Sequence, residues 1–564
     1  MAVLVTGALV GAACGGGGGP GEDGTDDADR TASTDVLDNP KWAHVVSGPQ
    51  ASDDTPMEGG SIVVGLGSEP NSLLPSGSTS GQTGRNVTYA IFDPLVTRDA
   101  EGNVRPYLAE SVEPNDDFTE WTLTLRPDVR FHDGTPLNAA AMKRIWDDYL
   151  VAPGAVTFTT TRFVERMDVV DELTVRYVMT NPNPTFPELL ELQIGWPFSP
   201  DAADELGEEF GERPVGTGPF RFVSWERDSE LVLERNDDYW QEGLPYLDRI
   251  SFRPIPDEST RAASLASGDV DAVQSASLSD FAATVADIEG TQVVLGLGNR
   301  GSGALFNTTS PPTDDLRIRQ ALAHAVDQEA LVEVAAGEAA ELTELRTQFF
   351  TEDSPFYSQA VADAWLGHDP EAARQLYEDY VNDPQRSDDK AVGEPVSLTF
   401  GTPNTPSSVE LATAYVGFYE EVGFDVTVEP LEPSQLSAAA VADDYEAQIF
   451  PLGLDSSPLG EFQFFFDDPS QIITNFSNFY DDRVASLIEQ LRRTGDVAEQ
   501  AELAEAMGLH LAENVPFQWT GTDLTLIAAR DNVRGLRSWV FPDGTLGDAV
   551  HPGVAFWGQV WLDG

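Results

Sequence analysis

Positive charge is scarce in this sequence. Only 32 of its 564 residues are Lys or Arg, against 95 Asp or Glu, and the formal net charge is −63. Nucleic acids and anionic membranes bind proteins through clustered positive charge, so we expect neither of them to bind this surface. The acidity has two interpretations, namely a surface adapted to solubility or salt, or attraction of cationic ligands.

Cysteine and histidine are also rare. The single cysteine, Cys14, excludes a disulfide within the chain, so packing must hold the fold together. The six histidines are scattered, and the sequence contains neither a GxSxG nor an HExxH pattern. We therefore predict a protein that is not an enzyme and has no catalytic residue, no metal site and no cofactor. The remote alternative is a secreted hydrolase whose Ser–His–Asp set is assembled by folding.

The N-terminal segment contains a short apolar run, AVLVTGALVGAA, which is too short to span a bilayer. It resembles the end of a signal peptide that is cut immediately before a lipid-bearing cysteine. Gly11 and the absence of a preceding basic residue depart from that pattern. We predict a signal peptide over residues 1–13 and lipidation of Cys14, with a free N-terminal thiol as the alternative. Residues 14–60 are rich in Gly and Asp, which predicts a disordered tether after the cysteine.

The most informative stretch is Thr119 to Leu150. Alternation of Trp121, Leu123 and Leu125 with polar residues predicts a half-buried strand. Turn-forming residues at 132–136 follow, and the turn itself accounts for His132 and Asp133. Asn138 is then placed to cap a helix. With 564 residues the chain is expected to form two or three domains.

Residues 125–146, LRPDVRFHDGTPLNAAAMKRIW, closely resemble a segment of the family 5 extracellular solute-binding proteins. That family comprises the large binding proteins of peptide and nickel ABC importers. Asp128 and Ala141 depart from its usual residues. Further segments resemble the family in the same order along the chain: residues 68–75, 89–96, 105–111, 216–222, 235–240, 266–271, 306–327 and 513–517.

The resemblance implies an α/β, two-lobed periplasmic-binding-protein fold of class II type, with an extra subdomain inserted in the first lobe. The expected divisions are residues 61–98 (lobe I), 99–212 (inserted subdomain), 213–305 (lobe I), 306–520 (lobe II) and 521–564 (return to lobe I). The strand–helix–strand pattern between residues 396 and 428 independently predicts a parallel crossover in lobe II.

The resemblance also implies a monomer on the outer face of the membrane, or in the periplasm, that works with ABC permease subunits. It would enclose a small solute, a peptide first of all, between its lobes. An oligosaccharide or a nickel chelate is the alternative ligand. Peptide-binding members hold the ligand's ammonium group with an Asp on the second lobe, and Asp455 lies at the corresponding place; the alternative is that Asp455 only starts a turn.

Five other residues are candidates for the binding cleft. The Gly-rich stretch at residues 216–218 does not match a phosphate-binding loop, because no Lys-Ser/Thr follows it and Pro219 lacks an amide donor. Its small residues would instead let a ligand or another strand approach the backbone. The two tryptophans are either pocket walls or core residues. The candidates are Gly216, Thr217, Gly218, Trp225 and Trp519.

Overall fold

The computed structural model describes residues 42, 45–76, 82–151, 157, 160–277, 279–296, 301–352, 354–453, 457–549 and 553–564. Its strands are, in chain order, β1 (Val45–Ser47), β2 (Ser61–Leu66), β3 (Val96–Arg98), β4 (Val104–Pro106), β5 (Ala109–Pro114), β6 (Glu120–Leu125), β7 (Val164–Val169), β8 (Thr174–Met179), β9 (Phe220–Glu226), β10 (Glu230–Arg235), β11 (Arg249–Pro254), β12 (Ala272–Ser277), β13 (Thr291–Gly296), β14 (Gly301–Phe306), β15 (Ser397–Pro403), β16 (Asp425–Leu431), β17 (Ala447–Leu452), β18 (Phe517–Thr522), β19 (Leu524–Arg530), β20 (Val533–Arg534) and β21 (Trp561–Leu562).

The helices of the described residues are α1 (Gln82–Ile91), α2 (Ala139–Val151), α3 (Phe186–Leu189), α4 (Pro200–Leu206), α5 (Glu258–Ser267), α6 (Phe281–Ala286), α7 (Leu316–Ala325), α8 (Gln328–Ala336), α9 (Gln359–Ala364), α10 (Pro370–Val381), α11 (Pro406–Val422), α12 (Pro433–Val441), α13 (Pro458–Phe465), α14 (Asp482–Leu491) and α15 (Val497–Asn514). Short 3₁₀ turns lie at Gln193–Gly195, Gly207–Glu212, Gly337–Leu342 and Trp557–Gln559.

Lobe I is built on an eight-stranded mixed sheet. The strand order is β1-β13-β19-β12-β2-β11-β10-β9, with β2 parallel to both of its neighbours. Strand β19 comes from the C-terminal part of the chain and lies between β12 and β13. Strand β19 thus places a segment that follows lobe II in the sheet of lobe I.

The inserted subdomain carries a separate antiparallel sheet of order β5-β6-β8-β7. Its sequence prediction is confirmed: Trp121, Leu123 and Leu125 are buried on one face of β6, and Asn138 Oδ1 accepts a hydrogen bond from the Ala141 amide at 2.9 Å. One continuous apolar core joins this sheet and α2 to the sheet of lobe I. We therefore treat the subdomain as part of the same rigid body as lobe I.

Lobe II has a five-stranded sheet of order β16-β15-β17-β14-β18. The predicted parallel crossover is confirmed, because β15 and β16 run parallel with Leu398 beside Val426 and α11 connects them. A second layer of α13, α14 and α15 buries an aromatic-rich cluster against β18. Lobe II thus has a core of its own.

The chain crosses between the lobes twice, side by side. One crossing lies between β13 and β14, and the other is at Asp523 between β18 and β19. Strands β13 and β19 pair on the lobe I side, while β14 and β18 pair on the lobe II side. Thr525 Oγ1 also donates to the Gly296 carbonyl at 2.8 Å. These paired strands connect the two lobes, and we call them the hinge strands.

The structure differs from the predicted divisions at two places. Strands β14 and β18 extend lobe II to Gly301–Thr522, beyond the predicted 306–520. The predicted tether, residues 14–60, also includes ordered chain: β1 pairs in parallel with β13, and Trp42 is buried against lobe I. A few large apolar side chains were enough to fix this end of a Gly- and Asp-rich segment, because burying them offsets its ordering entropy.

Candidate functional site

A cavity lies between the two lobes. Its volume is about 850 Å³, including the mouth that opens to solvent. Lobe I, the inserted subdomain and lobe II all contribute side chains to it, most of them aromatic or charged. The lining residues are Arg85, Tyr89, Thr97, Arg98, Thr160, Phe163, Glu188, Leu189, Glu191, Leu192, Gly460, Gln463, Phe464, Trp539, Asp548, Val554 and Phe556.

The lobe I wall is aromatic. Helix α1 presents Arg85 and Tyr89 on one face, because residues four apart lie above one another. The Tyr89 ring meets Trp196 and Phe556 edge-on at 5.6 and 5.8 Å, and Phe556 is stacked on Trp539 at 3.8 Å. Burial raises the pKa of Tyr89 to about 12, so its hydroxyl is neutral at ordinary pH. These rings form a rigid apolar surface.

Lobe I and the inserted subdomain both add charged groups to the cavity. Arg98 Nη2 and Glu191 Oε2 form an ion pair of 2.7 Å in which both side chains are largely buried. Glu188 lies on α3 beside them. The cavity wall therefore carries both signs of charge close together.

Lobe II closes the cavity with α13. Ser457 caps this helix, Pro458 opens it, and Gly460, Gln463 and Phe464 face the cavity at the i, i+3, i+4 spacing of one helix face. The other side of the helix is buried in the aromatic cluster of lobe II. Its position is therefore fixed relative to that lobe.

One direct contact joins the lobes at the edge of the cavity. Glu188 Oε2 of the inserted subdomain accepts hydrogen bonds from the Ser457 backbone N–H at 2.9 Å and from Ser457 Oγ at 3.0 Å. Burial raises the pKa of Glu188, while Arg98 and the two hydrogen bonds act in the opposite direction. A carboxylate at the amino end of α13 is also favoured by the helix dipole. This contact can only exist when the lobes are closed.

Gly216, Thr217 and Gly218 pack against the end of α1. A Cβ on Gly216 would lie 2.2 Å from the Ile91 carbonyl oxygen, and one on Gly218 would lie 2.5 Å from the Ile91 carbonyl carbon. Thr217 is buried, and its Oγ1 accepts a hydrogen bond from the Asp93 amide at 3.3 Å. Small residues are required here because another backbone segment approaches closely. None of these three residues lines the cavity.

His132 links this stretch to the other family-like segment. Its Nδ1 accepts from the Gly216 amide at 3.3 Å, and its Nε2 is 3.0 Å from the Gly218 carbonyl oxygen. The Nε2 must therefore carry the proton and donate it. Burial lowers the pKa of His132 to about 4, so the ring is neutral. Asp133 Oδ1 accepts from the Thr135 amide, which confirms its predicted role in the turn, whereas the His132 ring joins the turn to Gly216 and Gly218.

The two tryptophans do not line the cavity either. Trp225 donates from Nε1 to Glu69 Oε2 at 3.2 Å, with the Arg227 guanidinium 3.5 Å above its ring. Trp519 is fully buried in lobe II against Phe349. The burial of Trp519 favours a core residue, whereas Trp225 is only partly buried, and a role of either tryptophan in ligand binding stays a prediction. Asp455 and Cys14 lie outside the described residues.

Sequence reasoning missed the residues that do form the cavity. Tyr89 belongs to a family-like segment, but nothing local distinguishes it from a core residue. Glu188 gives no signal because its partner, Ser457, is 269 residues away. The one usable signal was Gln463, a polar residue within the apolar run FQFFF. In the described part of the chain, no group of three His, Cys, Asp or Glu residues is placed to hold a metal ion.

Comparison with known proteins identifies the relatives of this chain. The family model described as Bacterial extracellular solute-binding proteins, family 5 Middle, matches residues 103–472. The glutathione-binding protein GsiB of Pectobacterium atrosepticum is 31% identical over 274 residues, which are 48% of this chain and 53% of that protein. The chain thus spans about half the length of that relative in the alignment.

Two solved structures share the architecture. The PBP AgaA from A. tumefaciens R10, in complex with agropinic acid, has a TM-score of 0.78 and 24% identity over 90% of this chain and 99% of that chain. The periplasmic binding protein DppA from Helicobacter pylori, in complex with peptide STSA, has a TM-score of 0.77 and 21% identity over the same shares. At these identities they show the fold alone, and they confirm the predicted two-lobed class. No helix in the described ranges has both the length and the apolar character needed to cross a bilayer.

The Glu188–Ser457 contact predicts that closing depends on pH. The pKa of Glu188 is raised in the closed state, so the closed state binds a proton more readily than an open state in which the carboxyl is solvated. Lowering the pH from about 7 towards about 5 should therefore shift ligand-free protein towards the closed form. Small-angle scattering would measure this as a smaller radius of gyration.

Glu188→Gln should remove that pH dependence, because the amide is always neutral and still accepts from the Ser457 N–H. Glu188→Ala should favour the open form at every pH. Glu208→Gln, an exposed change in the same subdomain, is the control and should behave like wild type. A radius that changes equally with pH in wild type and Glu188→Gln would refute the assignment.

His132 predicts an acid-sensitive junction within lobe I. Its folded pKa of about 4 lies below the ordinary value of 6.5, so its contribution is complete above about pH 6.5 and is lost as the pH falls towards 4. The loss is on the order of 3 kcal/mol. His132→Gln, measured by urea unfolding from pH 7 to 4, should lose less stability than wild type over that range. His324→Gln, a helix residue whose ring bonds only the Gly367 carbonyl, is the control. An equal loss in both proteins would contradict the prediction.

Proposed function

Because the chain belongs to the family 5 bacterial extracellular solute-binding proteins, we propose that it is the substrate-binding component of an ABC importer. It captures a small solute, a peptide first of all, and presents it intact to the membrane permease. The observation that carries the proposal is the cavity that both lobes share, with the Glu188–Ser457 contact across its edge. A site of this construction exists only while the lobes are closed.

Capture works by a shift between open and closed states. The hinge strands allow the lobes to separate, and a ligand that touches Tyr89 on one side and Phe464 on the other favours closing. The permease can then distinguish loaded from empty protein by the relative positions of the lobes. No bond in the solute has to be made or broken.

The mixed lining supports a peptide. Side chains of a peptide can pack on the rings of Tyr89 and Phe556, while its polar main chain meets the hydrogen-bonding groups of Glu188 and Gln463. The name of the GsiB relative and the peptide bound to DppA point to the same class of solute.

An oligosaccharide is the second candidate. Aromatic rings present flat apolar faces, and the cavity has such rings on both lobes, Tyr89 and Phe556 on one and Phe464 on the other. Native mass spectrometry of the purified protein distinguishes the two classes, because a retained peptide and a retained sugar differ in mass.

We further propose that Cys14 anchors the protein to the outer face of the membrane. Two or more acyl chains would give a stable attachment, whereas one chain would not. Expression in a bacterial host with an alkyne fatty acid should label the wild type and leave Cys14→Ser unlabelled and released into the soluble fraction. Label that persists in Cys14→Ser would exclude this anchor. The protein would act as a monomer with its permease.

The peptide proposal predicts a role for Asp455. A carboxylate that pairs with an ammonium group forms a charge-assisted hydrogen bond, which contributes about 1.5–3 kcal/mol. By calorimetry, wild type should bind a tripeptide with a free amine about tenfold or more tightly than its N-acetylated form. Asp455→Ala should bind both forms with the same weak affinity, and Asp455→Asn should resemble it. Discrimination that survives in Asp455→Ala would show that Asp455 only starts a turn.

A further inference from the structure

Gln463 is a buried polar residue at the cavity between the lobes. It lies on α13 with only 1% of its surface exposed, and it lines the interlobe cavity. Its Nε2 has no hydrogen-bond partner in the structure. A buried amide donor without a partner costs about 1–3 kcal/mol, so such a residue destabilises the protein that carries it.

Gln500 is a buried glutamine of the same lobe whose side-chain amide does have a partner. Gln500 lies on α15 of the same lobe with 5% of its surface exposed, and its Nε2 donates to the Thr494 carbonyl at 3.1 Å. Both residues are buried and helical. Of these two amides, the one at the cavity is without an acceptor.

The surroundings of Gln463 supply no acceptor from its own helix face. Its neighbours on that face are Gly460 and Phe464, neither of which has a polar side chain. Glu188, the carboxylate of the inserted subdomain that reaches this helix, is already engaged with Ser457 at the helix start. The Gln463 donor is therefore available to a group that enters the cavity.

We propose that Gln463 is a ligand-binding residue that determines specificity by donating a hydrogen bond from Nε2 to a carbonyl or carboxylate oxygen of the solute. The assignment rests on the proposed function, since it needs a solute in this cavity. The aromatic walls accept many shapes, whereas the amide rejects a solute without an acceptor at that point, because the donor would then stay buried without a partner. Lobe II thus recognises the solute chemically as well as covering it.

The test compares stability with binding in three variants. Gln463→Leu keeps the size of the side chain and removes the buried donor, so the ligand-free protein should melt at the same temperature as wild type or higher. The same variant should bind the probe peptide Ala-Phe-Ala about 3- to 10-fold more weakly, the range of one hydrogen bond. Gln463→Glu, which has no donor and repels an acceptor oxygen, should bind it more weakly still. Gln500→Leu, the control, should lower the melting temperature and leave the affinity unchanged.

Three outcomes would each contradict either the role of Gln463 or the proposal that the solute is a peptide. A lower melting temperature for ligand-free Gln463→Leu would show that the amide has a structural partner and would refute the assignment. Equal affinity of wild type and Gln463→Leu for Ala-Phe-Ala would refute it too, while the peptide proposal stands. If wild type binds maltotriose but not Ala-Phe-Ala, and Gln463→Leu weakens that binding, the peptide proposal fails and the role of Gln463 is supported.

Discussion

Two short crossings of the chain, placed side by side, are the constraint on which the rest of the structure depends. Because the described strands connect the lobes at two places, β13–β14 and β18–β19, each lobe has to bury its own apolar surface, and each has its own sheet and core. A third apolar cluster lies at the hinge, where Val332 and Ala336 of α8 meet Phe281 and Val285 of lobe I. Apolar packing is non-directional and tolerates small rotations. The cleft side is different, because its contacts are polar and aromatic and exist only in one arrangement.

This division places the costly polar groups where the protein moves. Glu188 is a buried carboxylate held by one residue of the opposite lobe, and Gln463 is a buried amide with no partner at all. The unpartnered amide of Gln463 lowers the stability of the closed, empty state, and the raised pKa of Glu188 shows that its ionised form is less favourable there than its neutral form. That is physically useful in a binding protein, because an empty cleft that closed tightly would not distinguish loaded from unloaded molecules. The closed, empty cleft therefore lacks stabilising interactions, and a bound solute supplies them.

The fold could be predicted from the sequence where its causes are local. The strand at Trp121, the turn at His132 and the cap at Asn138 each depend on neighbours within a few residues, and each is observed. The order of the family-like segments along the chain allowed the two-lobed fold to be predicted as well. The site could not be predicted in the same way, because its contacts join residues from α1, α3 and α13 that are hundreds of positions apart. Gly216 and Gly218 illustrate the difference. The sequence indicated that small residues are needed there, but it did not identify Ile91 as the neighbour that requires them.

The negative charge is distributed unevenly between the surface and the cavity. Many arginines pair with nearby carboxylates, as Arg144 does with Asp201 and Asp204, so the excess negative charge belongs to the remaining exposed carboxylates. The cavity is more balanced, since Arg85 and Arg98 lie among Glu188, Glu191 and Asp548. At about 0.15 M salt the field of the surface is screened beyond about 8 Å. The surface charge therefore acts on solubility and on the approach of solutes, whereas selection among solutes rests on the few groups inside the cleft.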